Sequence, residues 1–319
     1  MTDFKLSSVS TGWARTVGSL WRTGDVGRTW APIPFPATTG GLVFGYQMDK
    51  SGFGWVQSAE SVELTTDGGS TWTSSPLPAA LTGGRGLLSA AWFISPGGIG
   101  WAGGGEYRRA DSASLGPSGV MRESPSGAIE VISPVVYRTQ NGGRTWSTGT
   151  IISDEYRVRS IIFNDPTHGW LLTDKSVYYT VNGGGAWTRS RFPLLGEHDD
   201  YRLDIDATPS LLIFPSSANV LLIFSNGAVF SSQDRGRSWV LICRRILDGA
   251  APPEQAVFIS DRLGFLKTAD GTLFTTRDAG KTWAREDVGG SVFGIAGLPD
   301  SKEVKLLLQG RLCSASPLL

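Results

Sequence analysis

Residues 65–72 read TTDGGSTW and residues 139–146 read TQNGGRTW, and both follow the pattern Ser/Thr-x-Asp/Asn-x-Gly-x-Thr/Ser-Trp. This pattern, called the box below, occurs six times, and its acidic or amide residues are Asp25, Asp67, Asn141, Asn182, Asp234 and Asp278. The fourth box departs most from the pattern, because Ala186 stands where the others have Thr or Ser. Repetition at this density predicts a fold built from one repeated unit.

The chemistry of the box is that of a β-hairpin turn. Asp or Asn can accept hydrogen bonds from backbone N–H groups one or two residues further on. Gly suits a positive φ angle, and Trp offers a large area for packing. We therefore expect the Asp and Asn residues of the boxes to be structural, and the box tryptophans to pack between neighbouring sheets.

A second signal precedes the boxes. The pairs Gly12-Trp13, Gly54-Trp55 and Gly169-Trp170 each place a Trp 17 residues before the Trp of the box. Gly100-Trp101 belongs to the same series, with an insertion after it. Apolar stretches come before these pairs, so each unit reads as strand a, strand b with the Gly-aromatic pair, strand c, the box turn and strand d.

This order predicts an all-β fold, a β-propeller of four-stranded antiparallel blades. Six blades carry a box, and the segments VFGIAGL, EVKLLLQ and GRLCSAS after the sixth box predict three strands of a seventh, incomplete blade. A propeller of six blades is the alternative. We expect a single domain over residues 1–319, with an insertion at about 102–134 in blade 3. The insertion, in place of a short turn between strands b and c, is expected to be a loop.

The composition excludes some classes of protein. The 29 basic and 29 acidic residues cancel, so the chain has no overall positive field for nucleic acid. No apolar run is long enough for a transmembrane segment, and the start MTDFKLSSVS shows no signal peptide. The two cysteines, Cys243 and Cys313, fall two blades apart, so we expect no disulfide between them and interpret both as small buried side chains.

The boxes and the preceding Gly-Trp pairs resemble the BNR, or Asp-box, superfamily of β-propellers. Within it, the stretches Thr65–Trp72 and Thr139–Trp146 are most similar to the photosystem II stability/assembly-factor-like proteins. The resemblance covers nearly the whole chain and implies a protein that binds other proteins, without catalysis, and that is extracytoplasmic: secreted, periplasmic or lipid-anchored. The family occurs in bacteria that do not photosynthesise, so its name does not imply a photosystem partner here.

The candidate binding residues fall on one face of the repeat. Box turns join strands c and d on one face, whereas the turns between strands b and c and the links between blades lie on the other. The blade 3 insertion and three links carry charged and aromatic residues on this second face. The candidates are Glu106, Tyr107, Arg108, Arg109, Asp154, Tyr156, Arg157, Asp199, Arg244 and Arg245.

Residues 196–200, GEHDD, form the densest group of possible metal ligands. Their spacing matches neither an EF-hand loop nor a zinc site, so we expect a solvated loop, no metal and no cofactor, with binding of a cation such as calcium as the alternative. His168, in the segment PTHGW, is expected in a turn on the box face.

The alternative function is a carbohydrate-active enzyme, similar to a sialidase or glycosidase, or a carbohydrate-binding propeller. A glycosidase needs two facing carboxylates, and Glu106 and Asp199 would be the first residues to test. The sequence lacks the arginine segment that a sialidase carries before its first box, and no nucleophile or phosphate-loop motif is present. We therefore expect a monomeric, non-enzymatic protein whose partner is another protein, with a glycan as the alternative ligand.

Overall fold

The structure is a computed structural model of the 319-residue chain. It describes residues 3–6, 10–16, 18–25, 27–34, 43–58, 61–81, 86–94, 98–109, 121–123, 129–147, 150–152, 158–173, 176–192, 207–215, 219–246, 251–298, 303–308 and 311–315. Their regular structure consists of strands, apart from one 3₁₀ turn at Ala79–Leu81. No helix in these ranges is long and apolar enough to cross a membrane.

The strands form six blades and one smaller sheet. Blade 1 contains β1 (Asp3–Leu6), β2 (Gly12–Arg15), β3 (Leu20–Thr23) and β4 (Ala31–Ile33); blade 2 contains β5 (Gly45–Met48), β6 (Gly54–Gln57), β7 (Val62–Thr65) and β8 (Thr73–Ser75). Blade 3 contains β9 (Gly86–Ile94), β10 (Ile99–Arg109), β11 (Met121–Glu123), β12 (Ile129–Thr139) and β13 (Thr150–Ile151). Blade 4 contains β14 (Val158–Phe163), β15 (Gly169–Thr173), β16 (Val177–Thr180) and β17 (Thr188–Arg189).

The C-terminal part of the chain continues the series. Blade 5 contains β18 (Pro209–Ile213), β19 (Val220–Phe224), β20 (Val229–Ser232) and β21 (Val240–Cys243). Blade 6 contains β22 (Pro253–Phe258), β23 (Gly264–Thr268), β24 (Leu273–Thr276) and β25 (Ala284–Glu286). The C-terminal sheet contains β26 (Val292–Leu298), β27 (Glu303–Leu308) and β28 (Arg311–Ala315).

Each blade is an antiparallel meander in which every strand pairs with the next one along the chain, and in blade 3 the extra strand β11 pairs beside β12. The predicted β-propeller of four-stranded antiparallel blades is therefore confirmed for six blades. The chain forms two compact units: Met1–Thr16, Leu20–Pro32 and Ser190–Leu319 make the first, and Val17–Ser19 and Ile33–Arg189 make the second. The first contains blades 5 and 6, the C-terminal sheet and nearly all of blade 1; the second contains blades 2, 3 and 4.

Within the first unit, the C-terminal sheet packs against blade 1. Phe4 is fully buried in one cluster with Ala296 and Leu307. The strand backbones approach closely here, because a Cβ added to Gly294 would lie 2.9 Å from the Phe4 ring. Burial of an aromatic side chain at this position holds β1 against the start of β26.

The glycine that opens strand b has a packing role. In blades 3 and 4 it pairs with an aromatic residue at or next to the end of strand a, Gly100 with Phe93 and Gly169 with Phe163. A Cβ added to Gly169 would lie 2.5 Å from the Phe163 ring, so the aromatic ring lies directly over the glycine. The same ring meets the Trp of its own box, with Phe163 and Trp187 edge to face at 5.9 Å between centroids. The Gly-Trp signal and the box are thus connected through strand a.

Substituting Gly169 with alanine is expected to lower the free energy of unfolding by about 1–3 kcal/mol, because the new methyl group overlaps Phe163. Urea unfolding of the variant measures the change. Gly185→Ala is the control, since a Cβ there would meet only ordinary contacts at 3.4 Å or more. An equal loss in both variants would contradict the packing role of Gly169.

Two box tryptophans pack against a neighbouring sheet, as the sequence predicts. Trp187 joins a cluster with Trp101 of blade 3, and Trp283 joins one with Leu221 of blade 5. Trp239 is only 2% exposed. The other five box tryptophans are half-buried, because the turn that carries them lies at the end of the sheet: Trp30, Trp72, Trp146, Trp187 and Trp283.

A hydroxyl group on strand d donates a hydrogen bond to the box of the following blade. Ser75 Oγ donates a hydrogen bond to the carbonyl oxygen of Gly143 at 3.1 Å, and Thr150 Oγ1 donates to that of Gly184 at 3.3 Å. Sequence reasoning missed these residues, since strand d shows no motif of its own. They add polar contacts between blades to the packing of the tryptophans.

Candidate functional site

The blades have two distinct ends. Strand order places the box turns and the turns between strands a and b at one end, called the box end. The turns between strands b and c and the links between blades lie at the other, called the link end. At the box end the two turns are hydrogen-bonded, since Gly68 N–H donates to the Gly52 carbonyl at 2.9 Å and Gly142 N–H to the Gly98 carbonyl at 2.7 Å. The two turns at the box end are thus held together by backbone hydrogen bonds.

The Asp and Asn residues of the boxes are structural. Asp25 Oδ1 accepts a hydrogen bond from the backbone N–H of Thr29, and Asp25 Oδ2 accepts one from the Thr29 hydroxyl. The N–H lies four residues further on, not one or two as the sequence analysis expected. The equivalent backbone bond is made by each of the others, which are Asp67, Asn141, Asn182, Asp234 and Asp278. All six box glycines have a positive φ: Gly27, Gly69, Gly143, Gly184, Gly236 and Gly280.

These hydrogen bonds keep the box aspartates ionised. Side-chain and backbone bonds from Thr29 lower the pKa of Asp25 to about 2, and those from Thr71 lower the pKa of Asp67 to about 2. Partial burial opposes the shift at Asp234, but hydrogen bonds from Ser238 still hold its pKa below the usual value. Groups so committed to their own turn are poor proton donors at neutral pH.

The pKa of Asp67 predicts how its contribution to stability depends on pH. Its folded-state pKa of about 2 lies below the usual 3.8. The contribution is therefore fully present above about pH 4 and is lost as the pH falls towards 2. In Asp67→Asn, stability should fall less steeply across this range, because the amide does not titrate and can keep the turn bonds, as Asn141 does. The reverse change, Asn141→Asp, should make stability fall more steeply as the pH decreases. Thermal unfolding between pH 2 and 5 measures both effects. An unchanged dependence of the unfolding temperature on pH in both variants would contradict the prediction.

At the link end, strand a begins with a β-bulge in five consecutive sheets. The bulged residues are Ser89, Arg159, Ser210, Glu254 and Phe293. A bulge leaves one residue out of the ladder and re-aims its side chain, and bulges are common beside binding sites. Phe44 of blade 2 lies four residues before the strand a residue that pairs with the strand b glycine, which is the offset of Ser89, Arg159 and Glu254, although its own strand pair has no bulge. We call this the bulge position.

The bulge position exposes two large aromatic side chains. Phe44 is 54% exposed and Phe293 is 46% exposed. Among the described residues, only Val181 and Val240 are other large hydrophobic side chains with comparable exposure. Exposed aromatic side chains at one repeated position are typical of a surface that binds another molecule.

The blade 3 insertion is not a loop over its described part. Ten of the eleven residues of β10, Gly100 to Arg109, pair with β12, and Arg108 lies opposite Val131 in the register. Strand β11 pairs with the outer part of β12. Because strand b has four or five residues in the other blades, β10 is longer by six or seven residues, which is roughly 20–24 Å at about 3.4 Å per residue. The candidates Glu106, Tyr107, Arg108 and Arg109 therefore lie on an arm of strands that continues past the link end.

The remaining candidates divide into two groups. Arg244 and Arg245 are exposed in the link after β21, and the next residue, Ile246, donates its N–H to the Gly227 carbonyl of the turn between strands b and c at 3.0 Å. This bond places both arginines at the link end. The candidates Asp154, Tyr156, Arg157 and Asp199 lie outside the described residues, as does the whole of GEHDD. Their grouping with the arm into one surface stays a prediction.

Sequence reasoning missed a cleft at the link end of blade 6. It has a volume of about 490 Å³ and lies between the turn at Asp270–Leu273 and the link that ends at Ser291. Arg285, Glu286 and Asp287 line its charged side. Asp270 is held ionised, because a hydrogen bond from the Thr268 hydroxyl lowers its pKa. The sequence could have indicated this cleft, since this turn and link lie on the face where the candidate binding residues were sought.

The expectation for His168 is met, whereas that for the cysteines is met only in part. His168 lies in the turn between strands a and b of blade 4, where its Nδ1 is 2.9 Å from Asp165 Oδ2. Cys243 is a free, partly buried thiol, and burial raises its pKa. The side chain of Cys313 lies outside the described residues. Within the described ranges, no group of three His, Cys, Asp or Glu residues could hold a metal ion.

Comparison with solved structures finds this fold in other proteins. YCF48 bound to D1 peptide is 18% identical, with a TM-score of 0.60 over 98% of this chain and 91% of that one. YCF48 from Cyanidioschyzon merolae is 17% identical, with a TM-score of 0.61 over 98% and 93%. The GH74 enzyme of Niastella koreensis is 13% identical, with a TM-score of 0.64 over 98% of this chain but 51% of the enzyme.

These likenesses define the class, a β-propeller, and no activity, since one fold carries many functions. No protein-family model matches the sequence. No curated protein matches it either. The function must therefore be argued from the surface of this chain.

Proposed function

We propose that this chain is a non-enzymatic, monomeric propeller of the Asp-box type that binds a partner protein through its link end. We further propose a single domain over residues 1–319, with the C-terminal sheet as a seventh blade. The packing of Phe4 against Ala296 and Leu307 supports the seventh blade, because propeller blades bury their faces against both neighbours.

The observation that carries the proposal is the contrast between the two ends of the blades. At the box end, the Asp and Asn side chains and the turn backbone bond to one another. At the link end, Phe44 and Phe293 are exposed at the bulge position, and the arm continues past the other turns. Protein interfaces are enriched in aromatic and arginine side chains, and the link end presents both.

Charge suggests the chemistry of the partner. Arg159, Arg244 and Arg245 are exposed at or beside the link end, and the sequence adds Arg108, Arg109 and Arg157. Guanidinium groups form two-pronged hydrogen bonds with carboxylates. We propose that acidic groups of the partner contact these arginines. The structure of YCF48 bound to D1 peptide supports a polypeptide as the ligand.

A charge reversal tests the assignment of the link end. Changing both Arg244→Glu and Arg245→Glu should weaken partner binding by about tenfold or more, because acidic groups would then be repelled. The matched control reverses Arg235 and Arg237 to Glu, since both are exposed at the box end of the same blade. Biolayer interferometry with the purified partner measures both affinities. Equal losses, or a loss only in the control, would overturn the proposal.

The alternative is a carbohydrate-active or carbohydrate-binding propeller, and the likeness to the GH74 enzymes favours it. An assay of the chain against xyloglucan and a panel of glycosides separates the two functions. Hydrolysis that is lost in Glu106→Gln or Asp199→Asn would replace our proposal with the enzyme. We also propose, from the family resemblance alone, that the protein works outside the cytoplasm; fractionation of the cells that produce it tests this.

A further inference from the structure

A second cleft lies in the second unit, between blade 3 and the box of blade 4. Its volume is about 660 Å³, within the range of small-molecule sites. Val136, Arg138, Gln140, Ser147, Thr150 and Gly185 are among its lining residues. It lies at the box end, so it is separate from the surface proposed above for the partner protein.

The departure of the fourth box from the pattern accounts for this cleft. The residue after the box glycine is Gly185, where the other boxes carry longer side chains: Arg28, Ser70, Arg144, Arg237 and Lys281. The next residue is Ala186 instead of Thr or Ser. A Cβ at Gly185 would meet nothing closer than 3.4 Å, so packing does not require glycine there. The equivalent cleft between blade 2 and the box of blade 3, where Arg144 stands at this position, is smaller, at about 370 Å³.

Arg138 is the only charged residue among those that line the described cleft. Its guanidinium lies against the box of blade 4, because a Cβ on Gly183 would be 3.0 Å from Arg138 Cζ. The Cζ atom also lies 5.9 Å from the centre of the Trp101 ring. That ring is fully buried and fixed by a 2.9 Å hydrogen bond from its Nε1 to the Gly183 carbonyl.

The guanidinium has an unused donor. Arg138 Nε is buried and has no hydrogen-bond partner among the described residues. A buried donor without an acceptor costs stability, and no acidic side chain lines the described cleft. Among acceptors that enter the cleft, a carboxylate matches a guanidinium best.

We propose that this cleft binds a small organic carboxylate that also carries hydroxyl groups. Arg138 holds the carboxylate, and Gln140, Ser147 and Thr150 provide neutral hydrogen-bonding groups for the hydroxyls. The glycine at position 185 keeps the entrance open. This inference does not depend on the proposed partner protein, since the two sites are at opposite ends of the blades.

A matched pair of ligands tests the proposal. D-glucuronate and D-glucose differ only in the carboxylate, so calorimetric titration should give about tenfold or more tighter binding of glucuronate. Arg138→Gln should abolish that preference. Gly185→Gln should also abolish binding without any change in charge, whereas Ser70→Gln, the same box position in blade 2, should leave it intact.

Three results would overturn the proposal. Equal affinity for glucuronate and glucose would show that the carboxylate is not recognised. Unchanged glucuronate binding in Gly185→Gln, with native circular dichroism, would place the ligand elsewhere. Binding of an acidic hexapeptide, without binding of glucuronate, would identify a polypeptide ligand instead of a small acid.

Discussion

Replacing Trp239 with alanine is expected to lower the free energy of unfolding by about 3–5 kcal/mol. The side chain is 2% exposed and stacks on Phe192, with ring centres 5.9 Å apart and planes 6° from parallel. Its Nε1 has no hydrogen-bond partner among the described residues. The expected cost therefore comes from lost packing and the remaining cavity, and not from a broken hydrogen bond.

Urea unfolding monitored by circular dichroism measures this change. The adjacent Val240 is 65% exposed, so Val240→Ala is the control and should change stability by less than about 0.5 kcal/mol. A similar, small effect in both variants would contradict a packing role for Trp239 against Phe192.

Phe163→Ala should be comparably destabilising, by about 3–5 kcal/mol. Phe163 is 3% exposed, stacks on Trp101 and meets Trp187 edge to face. Phe44→Ala is the matched control, because Phe44 is 54% exposed. This substitution should lower the free energy of unfolding far less.

A double substitution tests the contact between Phe163 and Gly169 directly. If the ring over Gly169 is what excludes a side chain, Gly169→Ala should cost little once Phe163 is alanine. Additive losses, with no coupling between the two positions, would show that strand b needs its glycine for another reason.

Much of the fold could be predicted because the box is a local motif whose residues interact within one turn. Its Asp, Gly and Trp are close in sequence, so a turn such as Thr65–Trp72 can be recognised without knowledge of its neighbours. The role of the strand b glycine was harder to see, since Phe163 and Gly169 meet only through strand pairing. A signal was present nonetheless, because an aromatic residue precedes the glycine by six or seven residues in blades 3, 4 and 6.

The features of the link end depend on register, which the sequence does not show. A bulge such as that at Phe293 is a property of two paired strands, and nothing in VFGIAGL marks it. The arm was expected as a loop because glycines 103–105 hide the strand character of β10, although residues 129–132, IEVI, have strand-forming side chains. The Arg138 cleft was missed because the fourth box was interpreted only as the copy that departs most from the pattern.

The central claim is that a partner protein binds at the link end, and site-directed photocrosslinking tests it most directly. Benzoylphenylalanine would replace Phe293 at the link end or Val181 at the box end, two side chains of similar exposure at 46% and 48%. We predict a crosslink to one partner protein from position 293 and none from position 181. A crosslink from position 181 alone, or none from position 293, would contradict the proposed binding surface.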